Sequence, residues 1–112
     1  MDLNQTQNFE YAQLMVVTCQ HGIHLRVAAE ISVIANQFTS NIHFIVKSLE
    51  VDAKSLLALL ELGAAKGEKI KVSASGPDSE AAVTAVAQFF EREARLCDQQ
   101  NKERGTYPQI NP

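Results

Sequence analysis

The sequence predicts an α+β domain in which helices cover one face of a four-stranded sheet. Short segments alternate apolar and polar residues, which is typical of strands with one buried face. Longer segments repeat apolar residues every three or four positions, which is typical of amphipathic helices. These segments follow one another in the order β-α-β-β-α-β-α. One sheet with helices on one face would bury all of these apolar stripes. The alternation favours an antiparallel or mixed sheet with one solvent-exposed face.

The first strand and the first helix are predicted in the N-terminal part of the chain. Residues 1–10 are polar and are expected to form a loose arm, whereas residues 13–18 form an apolar run rich in strand-forming residues. Gly22 then indicates a turn. The helix after this turn is predicted to end near residues 39–41. Its apolar face has spacings of four, three and four and consists of Val27, Ile31, Ile34 and Phe38.

A hairpin and a short helix are predicted in the middle of the chain. Residues 42–47 alternate in the manner of a strand, and residues 49–51 are predicted to form a short return strand after a tight turn. A leucine-rich helix follows Ser55. Gly63 is a natural C-terminal stop for that helix, because glycine adopts the left-handed conformation in which many helices end.

The last strand and helix complete the domain, which is predicted to span residues 11–95. Residues 69–74 alternate as a half-buried strand, and a break at residues 76–78 separates them from a helix over residues 79–94. Residues 96–112 are polar and contain glycine and proline, so they are expected to form a mobile C-terminal tail.

Composition favours one small cytoplasmic domain. The chain has 112 residues, of which 46% are hydrophobic and 21% are charged. Its formal net charge of −3 argues against a nucleic-acid partner, because such proteins usually carry a basic excess. Cys19 and Cys97 lie too far apart to suggest a disulfide framework and fit a reducing compartment. The sequence shows no signal peptide and no membrane-spanning run, so we expect a cytoplasmic protein without membrane insertion.

His24 and Arg26 are the first candidate functional residues, because they fall at the predicted start of the first helix. Backbone N–H groups without helical partners and the positive end of the helix dipole meet there, and such an end binds phosphate well. An imidazole nitrogen is a competent nucleophile near neutral pH, and an arginine offers two parallel donors to phosphoryl oxygens. The pattern therefore fits phosphoryl transfer through His24. An ordinary turn histidine beside a solvated arginine would show the same spacing.

Ser55 is the second candidate, at the predicted N-cap of the leucine-rich helix. A serine that caps a helix contributes about 1 kcal/mol to stability, and this role alone would explain the residue. The same position would suit a regulatory phosphorylation site, because the helix end stabilises the charge of a phosphoserine. The pattern favours the cap and leaves the phosphorylation site open.

A cluster of cysteine and histidine residues offers a third hypothesis, in which Cys19, His21 and His24 hold a metal ion. A closed site needs a fourth ligand, which only His43, Cys97 or a carboxylate could supply. Without a metal, His43 is expected to be solvated on the outer face of its strand, and Cys97 is expected to play no part. The principal hypothesis, phosphoryl transfer, requires no metal.

Four sequence blocks resemble the HPr family, the histidine-containing phosphocarrier proteins of the bacterial phosphoenolpyruvate-dependent sugar phosphotransferase system. The resemblance extends over residues 11–94. The active-site pattern of the family is matched at residues 22–29 and its second signature at residues 53–60, and further blocks match at residues 62–67 and 74–78. Four blocks in the right order are far more specific than any one of them.

This resemblance implies a phosphocarrier rather than an enzyme, and it implies no cofactor. His24 would accept a phosphoryl group from Enzyme I and donate it to the IIA component of a sugar permease or regulator, while Arg26 would stabilise the phosphoryl charge. Ser55 matches the regulatory serine that an HPr kinase/phosphorylase modifies in some bacteria. The alternative is a regulatory HPr paralogue in carbon or nitrogen control that is switched by phosphorylation of Ser55.

The resemblance also implies a fold and a partner surface. The fold would be the open-faced β-sandwich of the family, with a four-stranded antiparallel sheet and three helices on one face. Exposed apolar residues around a polar site are what a transient partner needs, so an apolar docking surface would surround the histidine. Its expected members are Ile23, Leu25, Leu56, Leu57 and Leu60.

The chain departs from the family pattern at two positions beside the site. The family usually has proline directly after the active-site arginine, whereas this chain has Val27. Proline in the first helical turn presets the backbone without the loss of a hydrogen bond, and valine restores an N–H group there. His21 stands where the family often has asparagine or serine, which can cap the turn beside the active histidine.

Overall fold

A computed structural model of the chain describes residues 9–18 and 21–110, with side chains described for residues 10–18 and 21–96. Within these residues the predicted order of elements is confirmed. The elements are β1 (Phe9–Val16), α1 (Leu25–Ala35), β2 (Asn41–Val46), β3 (Leu49–Asp52), α2 (Leu56–Leu62), β4 (Lys69–Gly76) and α3 (Ser79–Ile110). In this part of the chain, no helix has both the length and the apolar composition that a membrane span requires.

The four strands form one sheet in the spatial order β1-β4-β2-β3, and every neighbouring pair is antiparallel. The sheet is therefore antiparallel throughout rather than mixed. The central strand β4 pairs with both β1 and β2, so that Ala74 lies opposite Tyr11 on one side and Ile42 on the other. The tight hairpin predicted after residue 47 joins β2 to β3 at the sheet edge.

The core lies between one face of the sheet and the helices, as the alternation predicts. Phe44 and Val72 are fully buried at neighbouring positions of β2 and β4. The helix α3 contacts β1, β4 and β2, and α1 contacts both α2 and α3. On α1, buried side chains include Val27 and Ile31, which belong to the predicted apolar face. The opposite face of the sheet is exposed and carries Lys71.

The helix α1 ends at Ala35, earlier than the predicted end near residues 39–41. Asn36 is the C-cap residue of this helix, and its side-chain amide donates to the carbonyl oxygens of Ser32 and Lys54 at 2.7 and 3.1 Å. The bond to Lys54 ties the end of α1 to the segment between β3 and α2. Phe38 lies beyond the end of the helix and still packs against the core.

The strand β1 begins at Phe9, before the predicted start at residue 13. All eight of its residues pair with β4, from Phe9 opposite Gly76 to Val16 opposite Lys69. An edge strand needs backbone pairing with only one neighbour and can include polar residues, so residue composition alone placed its start too late. The remainder of the predicted arm, residues 1–8, lies outside the described residues.

The helix α3 extends to Ile110, well beyond the predicted end at residue 94. The predicted helix end at residue 94 is therefore wrong, and the mobility of the polar tail over residues 96–112 stays a prediction. Gln99, Lys102 and Glu103 are good helix formers, and polarity alone does not end a helix. The boundary of the domain itself, near residue 95, stays a prediction.

Asp78 joins the loop before α3 to the turn before β2. Its carboxylate accepts the backbone N–H groups of Thr39 and Ser40 at 2.9 and 2.8 Å and the hydroxyl of Ser40 at 2.5 Å. These bonds, with that from Ser40 foremost, lower the pKa of Asp78. The two segments approach so closely that a Cβ atom on Gly76 would lie 2.8 Å from the Cα of Ser40.

Replacement of Asp78 with asparagine will lower the free energy of unfolding at pH 7, because a charged acceptor of three hydrogen bonds becomes a neutral one. The folded-state pKa lies below the unfolded-state pKa, so the contribution of the carboxylate is complete above the unfolded value and is lost as pH falls through the folded value. Urea denaturation from pH 7 down to about pH 2 measures the free energy of unfolding of both proteins. The difference in this free energy between the variant and the original chain will shrink below about pH 4.

The control for this experiment is Asp52→Asn. The carboxylate of Asp52 accepts the backbone N–H of Lys54 in an exposed turn, so this variant should lose less stability. Equal stability of Asp78→Asn and the original chain at pH 7 would contradict the proposed role of Asp78.

Candidate functional site

His24 occupies the N-cap of α1, as the sequence predicts. Its backbone is extended, with φ −102° and ψ −172°, and its carbonyl accepts the N–H of Ala28 at 2.8 Å. Within the described residues its side chain makes no capping hydrogen bond to the helix, and the residue is half-buried. The backbone of His24 thus begins the helix while its imidazole is left unused by the cap.

The loop before His24 is held by a close backbone contact that requires glycine at position 22. Gly22 has φ +66°, and a Cβ atom there would lie 2.4 Å from the carbonyl oxygen of Ala64. The same oxygen accepts the N–H of Ile23 at 2.9 Å, and the N–H of His24 donates to Gly22 O at 3.1 Å. The segment after α2 therefore supports the loop, which fixes where the imidazole leaves the backbone.

The N-terminus of α1 is electrostatically suited to an anion. Its first turn contains no acidic residue. The first N–H groups of a helix have no helical acceptor, and the helix dipole places positive charge at this end. A phosphoryl group on His24 would therefore lie beside a favourable field.

Arg26 lies in the first turn of α1, and its guanidinium is bound to two carboxylates. Nη2 and Nη1 donate to the two carboxylate oxygens of Glu93 at 2.9 and 3.3 Å, and Nη1 also donates to Glu30 at 2.8 Å. The bonds to Glu93, and then those to Glu30, raise the pKa of Arg26 above its ordinary value. A phosphoryl group that recruits Arg26 must therefore compete with both carboxylates.

Glu93 is a residue of the site that the sequence analysis did not find. It lies on α3 and is only 4% exposed, although glutamate is rarely buried without a partner. A signal was available, because Val86, Phe90 and Glu93 are spaced by four and three and so share the inner face of α3. An acidic residue on such a face needs a cation, and Arg26 supplies it. A cleft of about 560 Å³ beside this ion pair also contains Arg92 and Arg95.

His21 is exposed and lies near His24, with 6.2 Å between the ring centroids and an edge-on angle of 73°. Among the described side chains, no three histidine, cysteine or acidic residues are grouped to hold a metal ion. Cys19 and the side chain of Cys97 lie outside the described part, so the metal hypothesis gains no support from the structure. His43 faces outward on β2, as predicted, with its Nδ1 3.8 Å from a carboxylate oxygen of Glu50.

Ser55 forms the N-cap of α2, which confirms the prediction of a capping serine. Its Oγ accepts the backbone N–H of Ala58 at 3.1 Å. The helix ends at Gly63, whose φ of +59° gives the left-handed C-cap that the sequence predicts. Ser55 is half-buried, and its use as a phosphorylation site stays a prediction.

The five residues of the predicted docking surface differ in exposure. Leu25 and Leu57 are 62% and 75% exposed, as a docking role requires. Leu56 and Leu60 are partly buried and pack against the core. Ile23 is 5% exposed, so the prediction that it belongs to an exposed surface is wrong. The turn at Gly22 directs the next residue inward, where apolar burial stabilises the loop.

Val27 replaces the proline of the family pattern and belongs to the core, with an exposure of 2%. It lies in the first turn of α1, directly after Arg26. Its side chain thereby anchors this turn through apolar burial. Valine in place of proline thus keeps a buried apolar side chain in the first turn of the helix.

The fold and the site together define a class of protein: a small open-faced β-sandwich that presents a histidine at the N-terminus of a helix. A family model described as PTS HPr component phosphorylation site matches residues 12–92. The chain belongs to the HPr family of phosphocarriers of the phosphotransferase system.

Individual relatives agree with this assignment. The phosphocarrier protein HPr of Xylella fastidiosa strain 9a5c is 34% identical over 77 residues, which cover 69% of this chain and 86% of that protein. HPr of Buchnera aphidicola subsp. Schizaphis graminum is 42% identical over 74 residues, which cover 66% of this chain and 87% of that protein. The crystal structure of HPr-C-His from Thermoanaerobacter tengcongensis superposes with a TM-score of 0.72 at 30% identity, covering 75% of this chain and 94% of that one.

Replacement of Glu93 with glutamine will destabilise the domain by about 1–2 kcal/mol, because the Arg26 guanidinium loses its buried, bidentate acceptor. The matched control is Glu30→Gln, which removes an exposed pair one helical turn away and should cost at most about 0.5 kcal/mol. Urea denaturation at pH 7 measures both variants. Equal losses would show that the contact with Glu93 contributes no more than a surface ion pair.

Proposed function

We propose that this protein is a cytoplasmic phosphoryl carrier that accepts a phosphoryl group on His24 from Enzyme I and passes it to a IIA component. The observation that carries the proposal is the imidazole of His24 at the N-cap of α1, half-buried and unused by the cap. The family to which the chain belongs supports the same role.

In the proposed transfer, an unprotonated ring nitrogen of His24 attacks the phosphorus atom of the phosphorylated donor. A nitrogen–phosphorus bond forms while the bond from phosphorus to the donor breaks, and its electron pair returns to the donor. The charge on the phosphoryl oxygens lies beside the N–H groups of the first turn of α1. The second transfer, to the acceptor, repeats these changes in the opposite sense and restores the neutral ring.

Arg26 is proposed to stabilise the phosphoryl charge. In the structure its guanidinium is bound to Glu93 and Glu30, with side chains that are 5% and 48% exposed. A phosphoryl group offers oxygens of higher charge than a carboxylate, and arginine binds both in the same bidentate manner. The exposed bond to Glu30 is the weaker of the two and the easier one to exchange.

Incubation of the original chain with phosphoenolpyruvate and Enzyme I will give an acid-labile phosphoryl adduct on His24, detected by mass spectrometry at neutral pH. His24→Ala will give no adduct, because the nucleophile is absent. His21→Ala is the matched control, since it removes the neighbouring exposed imidazole, and it should retain the label. Equal labelling of the original chain and His24→Ala, or no label on either, would refute the proposed carrier function.

We also propose Ser55 as a regulatory phosphorylation site, which is the basis of the second candidate function. Its position at the N-cap of α2 supports this role, because the helix end favours a negative group there. Leu57, which is 75% exposed, lies two residues further on in the same helix, so a phosphate on Ser55 would add charge beside an apolar part of the predicted docking surface.

An HPr kinase supplied with ATP will give an acid-stable phosphoryl group on Ser55, and Ser55→Ala will abolish it. The variant Ser55→Asp retains an oxygen acceptor for the Ala58 N–H and adds a charge, so it should fold and should accept the phosphoryl group on His24 more slowly. Rates of labelling by Enzyme I measure this effect. An unmodified Ser55 in the kinase assay would rule out the regulatory function and leave the carrier function standing.

A further inference from the structure

The strand β1 forms one edge of the sheet and pairs only with β4 among the described strands. It is eight residues long, contains neither proline nor lysine, and has Glu10 as its one charged residue. A long and regular edge strand with few charges presents a row of N–H and C=O groups to which another strand can bind. The structure of β1 therefore favours the addition of a further strand at this edge.

The opposite edge of the sheet, β3, is built differently. It is four residues long, and its exposed residues include Glu50 and Asp52. Short length and charged side chains are usual means by which proteins prevent pairing at a sheet edge. One edge of this sheet is thus protected against another strand, whereas the edge formed by β1 is not.

The free side of β1 displays the backbone groups of every second residue. The N–H of Val17 donates to the carbonyl oxygen of Glu68, directly before β4, at 2.9 Å, so the backbone of Val17 faces β4. The N–H and C=O groups of successive strand residues point to opposite sides, and the register with β4 is continuous along all of β1. The residues whose backbone groups face the open edge are therefore Glu10, Ala12, Leu14 and Val16.

The same residues direct their side chains to the uncovered face of the sheet, because side chains alternate along a strand. Met15 is 7% exposed, whereas Leu14 and Val16 are 62% and 46% exposed. Leu14 lies opposite Lys71 on this face. The open edge thus combines available backbone groups with exposed apolar side chains, and a second strand would cover both.

We propose that β1 pairs antiparallel with β1 of a second copy of this chain, with Leu14 opposite the second copy's Leu14. Residues directly opposite each other in an antiparallel pair point to the same face, so an even-numbered residue must lie opposite an even-numbered one. In the proposed register, Val16 lies opposite the second copy's Ala12. Registers centred on Gln13 or Ala12 would instead place Glu10 opposite Val16 or Leu14.

A second copy suits this edge because a strand turned about a two-fold axis meets its own apolar pattern. With the axis at Leu14 and perpendicular to the sheet, the two sheets join into one, and the helices of both copies cover the same face. Both His24 residues then lie on the helix-bearing side of the dimer, since α1 belongs to that layer. The dimer does not depend on the proposed carrier function.

Sedimentation equilibrium of the full chain from about 5 to about 500 μM will show a shift from the 12.3 kDa monomer toward a dimer. Leu14→Glu should raise the dissociation constant at least about tenfold, because two carboxylates would lie opposite each other. Within one copy the new carboxylate lies opposite Lys71, so the thermal unfolding temperature should change little. The matched control is Leu49→Glu on the protected edge, which is 48% exposed in the original chain and should dimerise as before.

Two further variants test the register and the backbone pairing. Leu14→Lys alone should also weaken the dimer, but an equimolar mixture with Leu14→Glu should restore it, because the opposite charges meet only when residue 14 lies opposite residue 14. Leu14→Pro removes an N–H that faces the open edge and none that faces β4, so it should remain folded and lose the dimer.

A monomer throughout the concentration range would overturn the proposal. Dimerisation of Leu14→Glu or Leu14→Pro as strong as that of Leu49→Glu would also overturn it, because the contact would then lie elsewhere on the molecule. A mixture of the Leu14→Glu and Leu14→Lys chains that stays monomeric would refute the register centred on Leu14. Labelling of His24 in these variants reports separately on the carrier function, which stands or fails independently of the dimer.

Discussion

The burial of one face of the antiparallel sheet is the constraint on which the rest of the structure depends. The side chains of Phe44 and Val72 project to the same side of neighbouring strands, and they are buried only because helices cover that side. The helix α3 crosses β1, β4 and β2, and α1 packs against α2 and α3. The position of His24 follows from this packing, because Val27 and Ile31 anchor in the core the helix that begins at His24.

The loop before α1 shows how a surface residue can be held by contacts that its own side chain does not make. Gly22 brings the backbone against the carbonyl of Ala64, and Ile23 is drawn into the core. His24 and Leu25 then emerge toward solvent. A carrier must present its reactive group to two partners in turn, so such a group is best placed on a rigid backbone with an accessible side chain. The proposed function uses this arrangement directly.

The guanidinium of Arg26 is already bound before any phosphoryl group arrives. Arg26 is the cation of α1, and its partners are the carboxylates of Glu93 and Glu30. The bond to Glu93 ties α1 to α3 through a carboxylate that is almost fully buried. The proposed phosphoryl state would redistribute these bonds, since a phosphate competes for the same guanidinium.

Local sequence patterns determined the order of the elements, the two helix starts at His24 and Ser55 and the stop at Gly63, because each depends on residues only a few positions away. The sequence also predicted His24 as the candidate nucleophile, and four of its sequence blocks resemble the HPr family. Only the tertiary structure decided that Arg26 pairs with Glu93, 67 residues away, and that Ile23 points inward. It also set the beginning of β1 and the end of α1. Such features depend on which separate segments of the chain contact each other, and a local sequence pattern does not contain that information.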